Sequence, residues 1–352
     1  MITTLFLALY LGQVGNLPAA PVDDPLQISD EMKQFLDTHI DRSSDILSQL
    51  HTLVRVVFQE NALNFTYVAR TRTAIETFNQ RGGNCVSFTF LFIGMARYLG
   101  LDARFREVDI VPTWAKVGDI VSMSGHANVA VFIGSQGYVV DLFPRVDRIQ
   151  LGGRIATDER AVAHYLSNKG VDLLGAGQAK SAIVDFKQAL DKDPSAPFVW
   201  ANLGVAQAVA HEFEEAEKSY LKALELDSAE MVAMSNLAAL YQTLGRDREA
   251  KAYASKVRRF KMKNPYYHFG LGMQAYLSGE YKMAVDHFRT ALKLKPVEHN
   301  FDLAMAKAYA QLGDIDKTTT YLKLAAKNAP DELSKLHYNE KLALLAARQP
   351  HS

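Results

Sequence analysis

Cysteine occurs once in this chain of 352 residues, at position 85, within RGGNCVSFTFLFIGMARYLG. A histidine follows at 126 and an aspartate at 141. A thiol, an imidazole and a carboxylate in this order can activate sulfur. The imidazole takes the thiol proton, and the carboxylate fixes its tautomer and stabilises the imidazolium. The thiolate so formed is the nucleophilic form of cysteine, and it suits acyl transfer at an amide carbonyl. A single thiol excludes an intramolecular disulfide and zinc sites of the paired-cysteine kind. Cys, His and Asp without a close ligand pair do not anchor a metal, so neither metal nor cofactor is expected.

Three elements must position these groups. From Val86 to Tyr98 the chain is mostly apolar and Gly100 follows, which predicts a central buried helix that Cys85 opens. Unpaired N–H groups and the helix dipole at that end favour a thiolate. Gly82 and Gly83 are expected to let the backbone turn and a substrate chain approach. Downstream the period changes to two, giving strands at Ala103–Val111, Ala127–Ile133 and Gly137–Phe143, the last two forming a hairpin around 134–137. His126 begins one hairpin strand and Asp141 lies on the other among Val139, Val140, Leu142 and Phe143. A carboxylate in that setting needs a partner; His126 is nearest across the hairpin, with Arg145 and Arg104 as alternatives. Upstream, 29–36 and Ser43–Phe58 carry helical apolar spacing.

The order Cys, His, Asp on these elements, with Thr73-Ala74-Ile75-Glu76-Thr77 ahead of Gly-Gly-Asn-Cys, resembles the transglutaminase-like branch of the papain-like cysteine enzymes, from about Thr71 to Pro144. The resemblance implies an α+β fold with Cys85 as nucleophile, His126 as general base and acid, and Asp141 as orienting carboxylate. Candidate oxyanion donors are the Cys85 N–H, Tyr67 and Trp114. Departures are Asn84 where the family often has Asp, Ala127-Asn128 where an aromatic often follows the histidine, and Leu142-Phe143-Pro144 after the aspartate.

A period of 34 fills the second half, with frames starting at 163, 197, 231, 265 and 299. The eighth position holds Gly170, Gly204, Ala238, Gly272 and Ala306; the fifteenth holds Gly177, His211, Gly245, Gly279 and Gly313. The twenty-fourth holds Phe186, Tyr220, Ala254, Phe288 and Leu322. Small residues let two helices approach, the fifteenth position ends the first helix in a left-handed residue, and aromatics fill the space between the pair. These columns resemble tetratricopeptide repeats, five in number, poorest in the third. The expected organisation is a transglutaminase-like domain over 25–150, an all-α solenoid over 160–332 and a capping helix over 333–348. The resemblance implies a concave face that takes a peptide or protein partner. Asn168, Asn202 and Asn236, spaced by 34, are candidates to bond a peptide backbone there, or are simply common at that position. Tyr266, Phe269, Met273 and Tyr276 offer an apolar surface for a partner or for the N-terminal domain. No Lys/Arg cluster resembles a clamp for an acidic C-terminus.

Lys plus Arg equals Asp plus Glu at 39 each, which argues against nucleic-acid binding by a basic surface. The run Leu5–Leu11 and the stretch Pro18-Ala19-Ala20-Pro21 resemble a secretory signal over 1–24, without a positive n-region, and the run is too short to span a membrane. Export to a periplasmic or envelope setting is expected, with a cytoplasmic location open. Asn64-Phe65-Thr66 fits a glycosylation sequon. Two functions follow: a thiol acyl-transfer enzyme whose repeats recruit a peptide or protein, or an inactive scaffold whose repeats act as an adaptor.

Overall fold

The computed structural model describes residues 24–59, 63, 65–110, 114–117, 120–123, 126–141, 150–329 and 332–347. The signal-like segment up to 23 and the Asn64 side chain lie outside them.

The N-terminal domain runs α1 (Asp30–His39), α2 (Ile46–Val54), β1 (Thr66–Tyr67), α3 (Ala74–Gln80), β2 (Gly82–Gly83), α4 (Cys85–Tyr98), β3 (Asp102–Ile110), β4 (Trp114–Val117), β5 (Ile120–Met123), β6 (His126–Ile133), β7 (Gln136–Val140) and β8 (Gln150–Ile155). The helix expected over Ser43–Phe58 is shorter: α2 passes at Arg55 into a π turn reaching Gln59. The main sheet has the order β7-β6-β3-β8, and all its pairs are antiparallel. Its predicted strands are present. β8 adds to them, so the sheet extends to Ile155, and the hairpin β4–β5 forms a separate two-stranded sheet. Glycines at 152 and 153 hide β8 from a period-two reading, because they contribute no side chain to the alternation.

α4 packs across β3 and β6. Every residue from Val86 to Ala96 is buried, as an all-round apolar helix requires. At Gly94 an added methyl would meet the Leu26 carbonyl at 2.6 Å, so the glycine admits the chain that crosses the helix.

The second half is a helical array of antiparallel pairs: α5 (Asp158–Gly175) with α6 (Ala179–Lys192), α7 (Pro197–Val209) with α8 (Phe213–Leu226), α9 (Met231–Thr243) with α10 (Asp247–Lys263), α11 (Pro265–Leu277) with α12 (Tyr281–Leu294), and α13 (His299–Gln311) with α14 (Ile315–Lys327). α15 (Glu332–Ala347) closes it, with buried Tyr338 bonded to His299. The column residues do what their types dictate. A methyl on Gly170, Gly204 or Gly272 would lie 2.5–2.6 Å from a ring carbon of Phe186, Tyr220 or Phe288. Residues 177, 211, 245, 279 and 313 all have left-handed φ, between 62° and 79°, and His211 adopts it without being glycine. The third pair is the weak link: α10, which has Ala254 where its counterparts carry rings or Leu322, has no fully buried residue and packs only partly buried ones such as Ala250 and Tyr253.

The two halves share one core. Phe90 and Phe105 from the N-terminal domain cluster with Tyr165, Leu166, Phe186 and Leu203 of the array. Arg97 forks onto Asp158 at 2.7 and 2.9 Å. Glu107 bonds Arg160 at 2.9 Å and His164 at 2.6 Å, and also pairs with Arg154.

Candidate active site

Asn84 starts the site. Its backbone is extended and its Oδ1 accepts from the N–H of Ser87 at 3.1 Å, which makes it the N-cap of α4 and leaves Cys85 as the first helical residue. The Ser87 hydroxyl closes a capping box on the Asn84 N–H. The Asn84 amide donates to the Ala69 carbonyl at 3.0 Å and to Thr71 Oγ1 at 2.6 Å. All the capacity of a buried amide is therefore used, and the cap is rigid.

The glycines before it act differently from the expectation. The left-handed residue is Arg81, with φ 52°, and not Gly82 or Gly83. Both glycines are buried and pair in parallel with Thr66 and Tyr67. A methyl on Gly83 would lie 2.5 Å from Ser87 Cβ, so this glycine serves the fit of the capping serine, not the approach of a substrate.

The sheet brings the other groups to Cys85. His126 starts β6 opposite Val108 of β3, beside the N-terminus of α4. Its side chain is 6% exposed and its Nε2 bonds Asp141 Oδ2 at 2.8 Å. The ring lies near enough to Cys85 for each to shift the other's proton affinity. With Nε2 on Asp141, Nδ1 is the nitrogen left for the thiol. Arg104, an alternative partner for Asp141, bonds Asp102 instead. Arg145 lies outside the described residues.

The electrostatics favour an ion pair. Burial pushes the Cys85 thiol up. The hydrogen bond and charge of His126, with the N–H groups of Ala127 and Val86, outweigh burial and bring it below its ordinary value. Burial pushes the His126 imidazolium down, but bonds to Asp141 and Cys85 dominate and raise it to about 9. The two shifts run in opposite directions, the sense that favours moving the Cys85 proton to His126.

Asn128 belongs to the same network. It is 2% exposed, its Nδ2 donates to Asp141 Oδ2 at 3.0 Å, and its Oδ1 accepts from Arg106 at 3.2 Å. Sequence reasoning noted it only as a departure. The signal was its spacing: His126 and Asn128, two apart on a strand, share a face.

The oxyanion candidates divide. The Cys85 N–H sits in the first turn of α4, without an intrahelical acceptor. Tyr67 is 47% exposed on a strand alongside Gly83. Trp114 opens β4, and its side chain lies outside the described residues.

The expected partner-binding residues are largely used within the chain. Asn168 donates to Thr71 at 3.0 Å and Asn202 to Ser167 at 3.0 Å, while Asn236 is buried. They do not form an open row of amides, because tertiary contacts compete for the same donors. Phe269 is a core residue, stacked on Phe301 at 4.7 Å. Tyr266, Met273 and Tyr276 are half-buried against the same cluster. Among the described residues no group of His, Cys, Asp and Glu is arranged to hold a metal. Among them no helix is long and apolar enough to cross a membrane.

Comparison with known proteins places this geometry. Residues 33–141 match the model of the transglutaminase-like superfamily, and 168–230 and 265–296 match tetratricopeptide-repeat models. Superkiller complex protein 3 of Mus musculus is 31% identical over 147 residues, which cover 39% of this chain and 9% of that protein. Superkiller protein 3 of Schizosaccharomyces pombe is 26% identical over 135 residues, covering 36% and 10%. This chain thus spans about a tenth of the length of these relatives. The second repeat domain of Spaghetti (RPAP3), solved bound to the HSP90 peptide SRMEEVD, is 25% identical and covers 27% of this chain and 89% of its own, with a TM-score of 0.27. The chain therefore carries a transglutaminase-like core domain followed by tetratricopeptide repeats.

Proposed function

We propose that the protein is a cysteine acyl-transfer enzyme acting on amide groups of a peptide or protein that its repeats recruit. The observation that carries this reading is the chain of contacts Cys85–His126–Asp141, with the thiol lowered and the imidazole raised.

The reaction follows from the charges. The Cys85 thiolate attacks the amide carbon and the carbonyl oxygen takes up the electron pair. On this reading the Cys85 N–H donates to that oxyanion. The His126 imidazolium gives its proton to the leaving nitrogen as the C–N bond breaks, leaving a thioester on Cys85 and a neutral imidazole. His126 then takes a proton from water or an amine, whose attack releases a carboxylic acid or a new amide. Asp141 and Asn128 hold the ring throughout.

A peptidyl vinyl sulfone tests the reading without a known substrate. Intact-mass analysis is expected to show one adduct on Cys85, formed at least about tenfold more slowly in His126→Ala. Equal rates in the two proteins contradict the enzyme reading.

A second reading is a catalytically silent adaptor built on the repeats. It draws on the relatives, which are named as superkiller proteins, one of them of a complex, and which match over 36–39% of this chain. Under it, Cys85→Ala leaves partner capture and every cellular phenotype intact.

A further inference from the structure

The array reaches into the thiol site. Asn168, on the first helix of the first repeat, donates to Thr71 Oγ1 at 3.0 Å. The same oxygen accepts from Asn84 Nδ2 at 2.6 Å. Thr71 is 5% exposed, so both bonds are made away from water, where losing a partner is costly. A hydroxyl oxygen has two lone pairs, and these two donors occupy them. Asn84 is the cap of the helix that Cys85 opens, so the orientation of its amide is set in part from the array.

A second link leads to the imidazole. The hairpin β4–β5 leaves the domain between β3 and β6, and β5 packs against α9 of the third repeat. β5 ends at Met123 and β6 begins at His126. The strand leading into the base is thus held by one repeat, and the cap beside the nucleophile by another.

We propose that the array is a working part of the thiol site: Asn168 is a positioning residue that holds Cys85 toward His126 through Thr71 and Asn84, while α9 steadies the strand entering His126. The proposal rests on the acyl-transfer reading. It has a consequence beyond that reading: a peptide or protein that shifts the first repeat against the N-terminal domain alters thiol reactivity. Recruitment and activation are then coupled by hydrogen bonds and not only by proximity.

The test is the pH dependence of iodoacetamide alkylation in the full chain, which has a single thiol to report. Asn168→Ala and Thr71→Val are expected to slow alkylation at neutral pH about fivefold, the effect of one hydrogen bond, and to move the midpoint upward. Thr71→Ser keeps the shared oxygen and is expected to stay near the native rate. Circular dichroism of each variant checks that the helices remain. A native rate and midpoint in Asn168→Ala overturn the proposal. Should that variant not fold, equal rates in Thr71→Val and Thr71→Ser overturn it. The control His126→Ala separates the two claims. If it loses the activated thiol while Asn168→Ala does not, the enzyme reading stands and this one falls. If the native thiol itself titrates like a free cysteine, both fall.

Discussion

Asn128 and His126 bind the same carboxylate oxygen, Oδ2 of Asp141, at 3.0 and 2.8 Å. The amide lies on the side chain two residues beyond the imidazole on β6, and Arg106 holds it from β3. Asp141 is therefore fixed from two points, and its charge is shared between the imidazolium and a neutral donor. Asn128→Ala removes one of them without touching Cys85. We expect kcat to fall about tenfold with little change in KM, since a bond to a charged group is lost that orients the base but does not bind substrate. Asn128→Asp places a second carboxylate against Asp141 and is expected to do more harm than alanine. Steady-state kinetics with any turned-over peptide amide decides it, and a drop confined to KM goes against this role.

Asn84 departs from the aspartate common in the family, and its bonds explain the amide. One of its partners, the Ala69 carbonyl, requires a donor, and the shared Thr71 oxygen accepts its second N–H. An aspartate would face the Ala69 carbonyl with like charge and set a carboxylate beside the thiolate, pushing the thiol up. Asn84→Asp is expected to slow Cys85 alkylation at neutral pH about tenfold. Alkylation as fast as native in this variant would show that the cap does not tune the thiol.

The pH profile follows from the signs of the two shifts. Cys85 loses its proton below the ordinary thiol range, and His126 keeps its proton up to about 9. On the acyl-transfer proposal the working form is the ion pair between those limits. We expect a bell in kcat/KM with its acid limb below the free-thiol value and its alkaline limb near 9, both belonging to the pair as a unit. In Asp141→Asn the alkaline limb moves down, because the largest contact raising the imidazole is weakened.

The array makes separate predictions about stability. Gly204→Ala drives a methyl into the Tyr220 ring and is expected to cost about 1–3 kcal/mol in urea unfolding. His211→Gly relieves a left-handed histidine and is expected to stabilise by about 1 kcal/mol. A destabilised glycine variant would mean that His211 makes contacts worth more than its strain.

The repeat columns and the pairing of His126 with Asp141 were legible in the sequence because each depends on local spacing or on residue type. A 34-residue period states which residue ends each first helix, and a left-handed φ at 211 follows from the column even where the residue is histidine. The pairing of His126 with Asp141 was legible from two residue types on adjacent hairpin strands. The remaining features were set by tertiary register. Asn128 meets Asp141 because β6 and β7 continue the pairing of Val129 with Val140. Asn168 was a candidate for the groove, or simply common at its position; it bonds Thr71, because the N-terminal domain docks on the first repeat. Gly82 and Gly83 looked like a turn, but their role is fixed by Thr66 and Ser87, which a linear reading does not place beside them. β8 was hidden by its glycines.

The central claim is that Cys85 and His126 form an ion pair, and thiolate absorbance against pH measures it directly because the chain has one thiol. We predict a native midpoint clearly below the free-cysteine value of about 8.5, and a rise toward that value or above it in His126→Ala. A native midpoint at or above it, unchanged by His126→Ala, would contradict the account.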